Sequence, residues 1–241
     1  MIFKHSGDLG DIIYTLPVIK YHGGGILFLN TKKKKKIGRL TGLNDKKINQ
    51  LIPLLSRQSY IIKVKKHDDE QYDIDLDSFR KIKNFPKRKN LCHFILETYK
   101  TPISITENPW LFAEEKKISR IVFHRSCRYH NKNAIPVIKN ILSEKRKDSL
   151  FIGLQEEFEI FCREIGKIKY LKTDNLWELA CIIKGSETFI GNQSCPMAIA
   201  IGLGKNYIQE VCPELPDCIF NNYHGRYILD NEITQNVSQL L

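Results

Sequence analysis

Apolar positions in this chain fall into short blocks that switch between strand-like and helical spacing. Residues 1–5 read as a strand, and Ser6-Gly7-Asp8-Leu9-Gly10-Asp11 as a turn. From Asp11 onward, Ile12, Ile13, Leu16 and Ile19 recur at helical intervals, with a carboxylate near the helix start. His22-Gly23-Gly24-Gly25 stops that helix, and residues 26–29 form a second apolar strand. A helix over 46–55, strands over 60–64 and 72–77, and a helix over 91–99 follow. The lysine run at 32–36 repels itself and reads as a solvated loop or helix start, with anion binding the minority reading. Between 101 and 117, Pro102 and Pro109 mark a boundary, with Trp110-Leu111-Phe112 as an ordered connector.

Beyond the boundary the alternation restarts. Strands over 118–123, 149–153 and 168–171 alternate with helices over 134–142, 156–165 and 176–184. The most complete unit is ETFIGNQSCPMAIAIGLGKNYIQEV, residues 187–211. In it Thr188-Phe189-Ile190 ends at Gly191, Asn192-Gln193-Ser194 forms a polar turn, and Pro196 opens an apolar helix that closes at Gly204. Tyr207-Ile208 then ends in Gln209-Glu210. The last residues, 231–241, have weak helical character. Strands alternating with helices in both halves imply an α/β fold of two Rossmann-like domains with parallel sheets, over 1–112 and 113–241. Open sheets of this kind bind ligands at the carboxyl ends of their strands, where helix N-termini offer free N–H groups to anions.

Composition narrows the class. Hydrophobic residues make up 42% of 241, typical of a chain with a real core. No apolar run approaches the roughly 18 residues of a membrane span, and the N-terminal residues lack the apolar core of a secretory signal. The seven cysteines are odd in number and none has C-x-x-C spacing, so neither a disulfide framework nor a zinc site is expected. A reducing cytoplasm fits these features. The net charge of +11, from 38 Lys+Arg against 27 Asp+Glu, favours polyanionic partners: nucleic acid, nucleotide phosphates or an anionic membrane surface. Scattered lysines also simply solvate a surface, and coding bias toward Lys, Ile and Asn produces the same charge.

Two segments, taken together, resemble one family. HSGDLGDIIYTLPVI resembles the first loop of glycosyltransferases of the heptosyltransferase type: a glycine-rich turn, GD, then a helix containing TLP. NLWELACIIKGSETFIGNQSCPMAIAIGLGKNYIQEV resembles their donor-binding segment, where a strand ends in GNDTGPMHLAAALG, and FIGLQEEFEIFCREIG matches the strand and helix upstream of it. The resemblance covers residues 3–18 and about 121–213; residues 21–117 carry nothing diagnostic. The chain is shorter than usual for the family, chiefly in its first half. What the resemblance implies is a GT-B architecture, with two Rossmann-like domains facing a cleft, the donor nucleotide on the second and the acceptor on the first, the first being reduced. It also implies chemistry without a metal or other cofactor. Asp73, Asp75 and Asp77 form D-x-D-x-D, but in the first half and along one strand face, and read as structural or surface residues.

By the resemblance, Asp11 occupies the position of the catalytic base that takes a proton from the acceptor hydroxyl; the plainer reading is a carboxylate complementing the helix dipole. Asp8 precedes Gly10 and is the weaker base candidate. Gly7 and Gly10 allow close backbone approach to a ligand or merely a tight turn. In the run from His124 to Lys132, Ser126 and Lys132 match by position the hydroxyl and basic residues that grip donor phosphates. Arg125 and Arg128 add charge-assisted contacts to a diphosphate, unless this is only a solvated basic loop. The family's Asn-Asp-Thr-Gly-Pro-Met-His is here Asn192, Gln193, Ser194, Cys195, Pro196, Met197 and Ala198. Gln193 still bonds a sugar hydroxyl but carries no charge, Ser194 and the following N–H groups still receive a phosphate, and Cys195 reads as a small packed residue. Glu210, at a strand end, is placed for ribose hydroxyls or is a surface carboxylate. The loop from Cys212 to Cys218 lies over the same edge.

These features predict a metal-independent inverting glycosyltransferase moving a sugar from a nucleotide-sugar to a hydroxyl on a glycan, a lipid precursor or modified DNA. The alternatives are a non-catalytic nucleotide or nucleotide-sugar binding protein on a degenerate GT-B scaffold, and a nucleic-acid module read by charge. The donor, the acceptor and the oligomeric state are not encoded in any motif found.

Overall fold

The computed structural model describes residues 1–31, 34–36, 39–82, 90–220 and 224–235. The first half runs β1 (Ile2–His5), α1 (Leu9–Tyr21), β2 (Gly25–Leu29), β3 (Lys34–Lys36), β4 (Arg39–Thr41), α2 (Asp45–Leu55), β5 (Ile61–Lys66), β6 (Ile74–Asp75) and α3 (Leu91–Thr98). The second runs β7 (Ile121–His124), α4 (Ala134–Lys145), β8 (Ser149–Ile152), α5 (Gln155–Glu164), β9 (Lys169–Leu171), α6 (Leu176–Gly185), β10 (Thr188–Asn192), α7 (Cys195–Gly202), β11 (Asn206–Glu210), β12 (Gly225–Leu229) and β13 (Glu232–Thr234).

Each half builds one main sheet, and the first adds a separate two-stranded β3–β4 ribbon. The first main sheet is parallel, ordered β5-β2-β1-β6; the second is ordered β13-β12-β11-β10-β7-β8-β9, parallel except for the antiparallel β12–β13 edge. In both, the chain winds outward from a central strand and then returns to that strand's other side. This places a reversal of strand order between β1 and β6 in the first sheet, and between β7 and β10 in the second. A crevice opens at such a reversal, beyond the carboxyl ends of the two strands. The expected pair of Rossmann-like parallel sheets is therefore present.

Three expectations change. Lys34–Lys36 is neither loop nor helix: its backbone pairs antiparallel with β4, so main-chain pairing overrides the lysines' mutual repulsion; Lys32 and Lys33 lie outside the described residues. The tail is not helical where it is described, because Glu232–Thr234, with β-branched Ile233 and Thr234, pairs with the edge of β12; residues 236–241 lie outside the described residues. Finally, α1 begins at Leu9 with Asp8 as its N-cap, which puts Asp11 inside the first turn.

The halves join through their helices. α1 packs along α7, and α2 along α6. α7 is apolar all round and buried from Pro196 to Gly202, as a helix must be when it has a sheet on one side and a helix on the other. Full burial of Met197 and Ile199 contributes about 1.5–3 kcal/mol each. Pro17 lies inside α1 and has no N–H, so the Ile13 carbonyl loses its helical partner. The indole N–H of Trp110 takes its place, at 3.2 Å. Trp110 and Leu111 then donate their backbone N–H groups to the Gly202 carbonyl, both at 2.9 Å. The connector thus clamps α1 to α7. On the other flank the 211–220 segment reaches back to the first half. Leu91 N donates to the Asp217 carbonyl at 2.6 Å, and Phe220 stacks on Tyr14 with ring centroids 5.7 Å apart.

Trp110→Phe keeps most of the packing but leaves the buried Ile13 carbonyl unpaired, and should cost about 1–3 kcal/mol. Trp110→Ala should cost about 3–5 kcal/mol. Denaturant midpoints at unchanged m-values would measure both; a Trp110→Phe protein as stable as the wild type would remove the clamp.

Candidate functional site

The turn after β1 is held from β6. Asp77 accepts the Ser6 hydroxyl at 2.6 Å and the Ser6 N–H at 3.2 Å, and lies 3.0 Å from His5 Nδ1. Burial opposes the charge on Asp77, but these bonds outweigh it and hold the carboxyl well below the usual range. Asp73 takes the Ile2 N–H, and Asp75 pairs with Lys4 and Lys81, so the D-x-D-x-D run braces β1. Asp11 is buried, and its Oδ2 accepts the Asp8 N–H at 3.0 Å and pairs with the Arg80 guanidinium. Gly7 must lack a side chain, because a Cβ there would lie 2.6 Å from His5 Cε1 and 2.9 Å from Asp11 Oδ2. Asp8 accepts the Gly42 N–H at 3.1 Å and lies 3.5 Å from Lys47 Nζ. Burial opposes its charge; Gly42, Lys47, Arg128 and Arg80 outweigh that and lower its pKa. Arg128 belongs to the second half, so its field crosses the cleft.

Opposite lies the β7–β10 crevice. Asn192 is fully buried and pins its two rims together. Its Oδ1 accepts the Ser126 N–H at 3.0 Å, and its amide donates to the carbonyls of Ser126, at 3.2 Å, and Arg128. Ser194 is the N-cap of α7 and accepts the Met197 N–H at 3.4 Å. Gly10 faces the same helix start: a Cβ on it would lie 3.8 Å from Cys195 Cα. The two turns therefore meet, with the N-termini of α1 and α7 side by side.

The residues proposed for the donor separate into two groups. Ser126, Arg128 and Ser194 are partly exposed and Lys132 is exposed, so these four are accessible to a ligand. Arg125 and Glu210 instead saturate each other. The guanidinium is bidentate on the carboxylate at 2.6 and 3.0 Å, the Asn131 N–H adds a third bond at 2.6 Å, and Glu164 pairs with the remaining nitrogen. Gln193 is also occupied, donating to the Leu215 carbonyl at 2.7 Å and Asp217 Oδ1 at 3.1 Å, and accepting the Cys212 N–H at 2.8 Å. Gln193 thus straps the 212–218 loop rather than facing the cleft. Burial pushes the Cys195 thiol up to about 12, with Asp11 and Asp8 adding to the effect, which suits a packed side chain.

Two residues join the site that no motif marked. Arg80 arrives from a single 3-10 turn, Ser78–Lys81, and only the return of β6 beside β1 brings it to Asp11. Asp217 sits in the strapped loop; burial raises its pKa, and the negative charge of Asp11 adds to the rise. Its position depends on Gln193, the departure from the family pattern that the sequence did display. Among the described residues no three His, Cys, Asp or Glu side chains cluster as metal ligands, and no described helix is long and apolar enough to cross a membrane. A shallow polar depression of about 470 Å³ lies at the opposite, amino-terminal ends of β7 and β10, lined in part by Lys117, Arg120, Lys184 and Lys205. It shares no residue with the cleft, and strand polarity favours the cleft as the ligand site.

No family model matches the sequence, and no curated protein matches it. Solved structures do match by fold. A family 9 glycosyl transferase from Veillonella parvula superposes with a TM-score of 0.61 at 12% identity, covering 94% of this chain and 85% of that one. The E. coli heptosyltransferase WaaC, solved with ADP, gives 0.61 at 12% identity over 96% of this chain and 95% of its own. The E. coli ADP-heptose heptosyltransferase II gives 0.54 at 9% identity, over 94% and 89%. The fold is the GT-B architecture that the two motifs implied.

Arg125→Ala should destabilise the protein by about 3–5 kcal/mol, because Glu210 would remain buried and unpaired. Arg128→Ala, at a partly exposed position, should change stability by no more than about 0.5 kcal/mol while weakening anion binding. Thermal or denaturant unfolding of the two variants checks the division; equal stabilities would contradict it.

Proposed function

We propose that this chain is a glycosyltransferase that moves a sugar from a nucleotide-sugar to an acceptor hydroxyl, with inversion and without a metal ion. The observation that carries the reading is the meeting of two strand-order reversals. Asp11 lies on one side, and Ser126, Arg128, Ser194 and the start of α7 lie on the other. Either turn alone is a common anion site; the pair matches a reaction with two substrates.

In this reading the donor diphosphate lies against the α7 N-terminus and Ser194, with Ser126, Arg128 and Lys132 around it. The acceptor hydroxyl approaches from the side of α1. Its oxygen attacks the anomeric carbon and its proton passes to the Asp11 carboxylate. The bond from the anomeric carbon to the diphosphate oxygen breaks, and its electron pair leaves with the nucleoside diphosphate. A single displacement of this kind inverts the anomeric centre. Arg80 keeps Asp11 oriented until the acceptor arrives. The cations and the helix dipole stabilise the charge that develops on the leaving group, the task a metal performs elsewhere. The similar structure solved with ADP makes adenine nucleotides the first donors to try, and the charge of +11 favours an anionic acceptor.

The competing reading, nucleotide binding without chemistry, draws on the Arg80 guanidinium seated on Asp11. Asp11→Ala separates the two. Transfer should fall by about 10²–10⁴-fold, the usual worth of a general base, while nucleotide affinity stays within a few-fold. A loss of binding with transfer retained would contradict the assignment, and binding with no transfer from any donor in a broad panel would favour the competitor. Transfer should persist in EDTA; its abolition there, with recovery on adding a divalent cation, would overturn the metal-free step.

A further inference from the structure

Ser194 ends a chain of three side chains, and the other two, His124 and Glu157, have no part in the proposed transfer. Glu157 Oε2 lies 3.3 Å from His124 Nε2, and His124 Nδ1 lies 3.3 Å from Ser194 Oγ. The three come from separate elements: Glu157 from the first turn of α5, His124 from the end of β7, and Ser194 from the cap of α7. The imidazole side chain is 5% exposed and stacks on Phe151, with ring centroids 6.1 Å apart and planes at 21°. Glu157 is fixed by the Leu154 N–H at 3.0 Å. Burial opposes its charge, but His124, Leu154 and Arg128 outweigh that and lower its pKa. Gly153, at φ +139°, makes the space: a Cβ there would lie 2.8 Å from His124 Cδ2 and 2.9 Å from Glu157 Oε2.

The donors and acceptors determine the protons. A carboxylate only accepts, so Nε2 of His124 carries a hydrogen. In the neutral ring Nδ1 is then an acceptor, and the Ser194 hydroxyl is drawn inward to it or to the Asn192 carbonyl at 3.1 Å. In the imidazolium both ring nitrogens donate. Nδ1–H then points at Ser194 Oγ, and the hydroxyl hydrogen turns to an acceptor outside the ring. Around His124, Glu157 from α5 interacts electrostatically with Arg128 and Cys127 from the loop after β7 and with Tyr170 from β9. Partial desolvation, and then the negative charge of Glu157, shift the Cys127 thiol and the Tyr170 hydroxyl upward. Arg125 nearby is already compensated by Glu210 and Glu164.

We propose that His124 is a proton-coupled positioning residue for an anionic ligand at the α7 N-terminus. The inference rests on the reading of this crevice as the diphosphate site. An arriving phosphoryl group draws one proton from solvent onto His124 Nδ1. The new Nδ1–H bonds to Ser194 Oγ, and the Ser194 hydroxyl donates to a phosphate oxygen, a charge-assisted bond that outcompetes the Asn192 carbonyl. The bound state holds one proton more than the free components, so affinity falls as pH rises, by at most about tenfold per pH unit for one proton. A ligand without a phosphoryl group gains nothing from the relay.

Calorimetric titration tests this with ADP-, GDP- and UDP-glucose, whose diphosphate diesters do not titrate near neutrality. Each is run in two buffers of different ionisation enthalpy. The wild type should take up a fraction of a proton, up to one, on binding. His124→Gln keeps hydrogen-bonding groups on the side chain and should bind with no uptake and a flat pH profile. His130→Gln, which alters the other histidine of this loop, should leave the uptake unchanged, and Glu157→Gln should reduce it. Binding without uptake by the wild type, or uptake persisting in His124→Gln, overturns the relay and leaves the diphosphate site standing. Failure of all three nucleotides to bind the wild type overturns the site itself.

Discussion

The contact between α1 and α7 is the constraint on which the rest of the structure depends. Pro17 removes a hydrogen bond from the middle of α1, and Trp110 from the connector supplies a donor to the Ile13 carbonyl. The same connector donates twice to the last carbonyl of α7. One carbonyl without a partner thus recruits the segment that fixes two helices from different sheets. Because the helices touch near their N-termini, Gly10 meets Cys195 and both turns open into one cleft. The apolar seam supplies the attraction, and the hydrogen bonds fix its register.

Within that cleft, burial sorts charged groups by role. Arg125 and Glu210 lie where water is excluded and pair bidentately, with Glu164 and the Asn131 N–H completing the cluster. Arg128, Lys132, Ser126 and Ser194 keep access to solvent and remain available to an anion. Asp11 and Asp8 from the first half and Asp217 from the 212–218 loop of the second bring three carboxyl groups together. Arg80 and Lys47 pair with two of them, whereas burial, and then the negative charge of Asp11, raise the pKa of Asp217. Cations beside the α7 N-terminus and carboxyl groups at the start of α1 suit a reaction in which a diphosphate leaves and a hydroxyl loses its proton.

Much of this was legible in the sequence because it is local. The alternation of strands and helices and the start of α7 at Ser194 and Pro196 follow from short-range rules, whereas the pairing of GDLGD with GNQSCPM comes from their resemblance to one family. What stayed hidden depends on distance along the chain. Arg80 reaches Asp11 only because β6 returns beside β1, a topological fact no local pattern carries. Arg125 and Glu210 stand 85 residues apart, and each alone looks like a ligand group at a strand end. The residue pattern correctly flagged Gln193 as unusual, but its occupation by the 212–218 loop needed the fold. The lysine run and the tail misled because propensity and charge are weaker than an available strand edge.

The central claim is that one cleft, at the joined N-termini of α1 and α7, receives a nucleoside diphosphate. The most direct measurement is a crystal structure of the protein grown with ADP, or with whichever nucleoside diphosphate binds. The account predicts the diphosphate against Ser194 and the α7 N-terminus, Arg128 beside it, and Asp11 across the cleft. A diphosphate bound instead among Arg120, Lys184 and Lys205, at the opposite end of the strands, would contradict it.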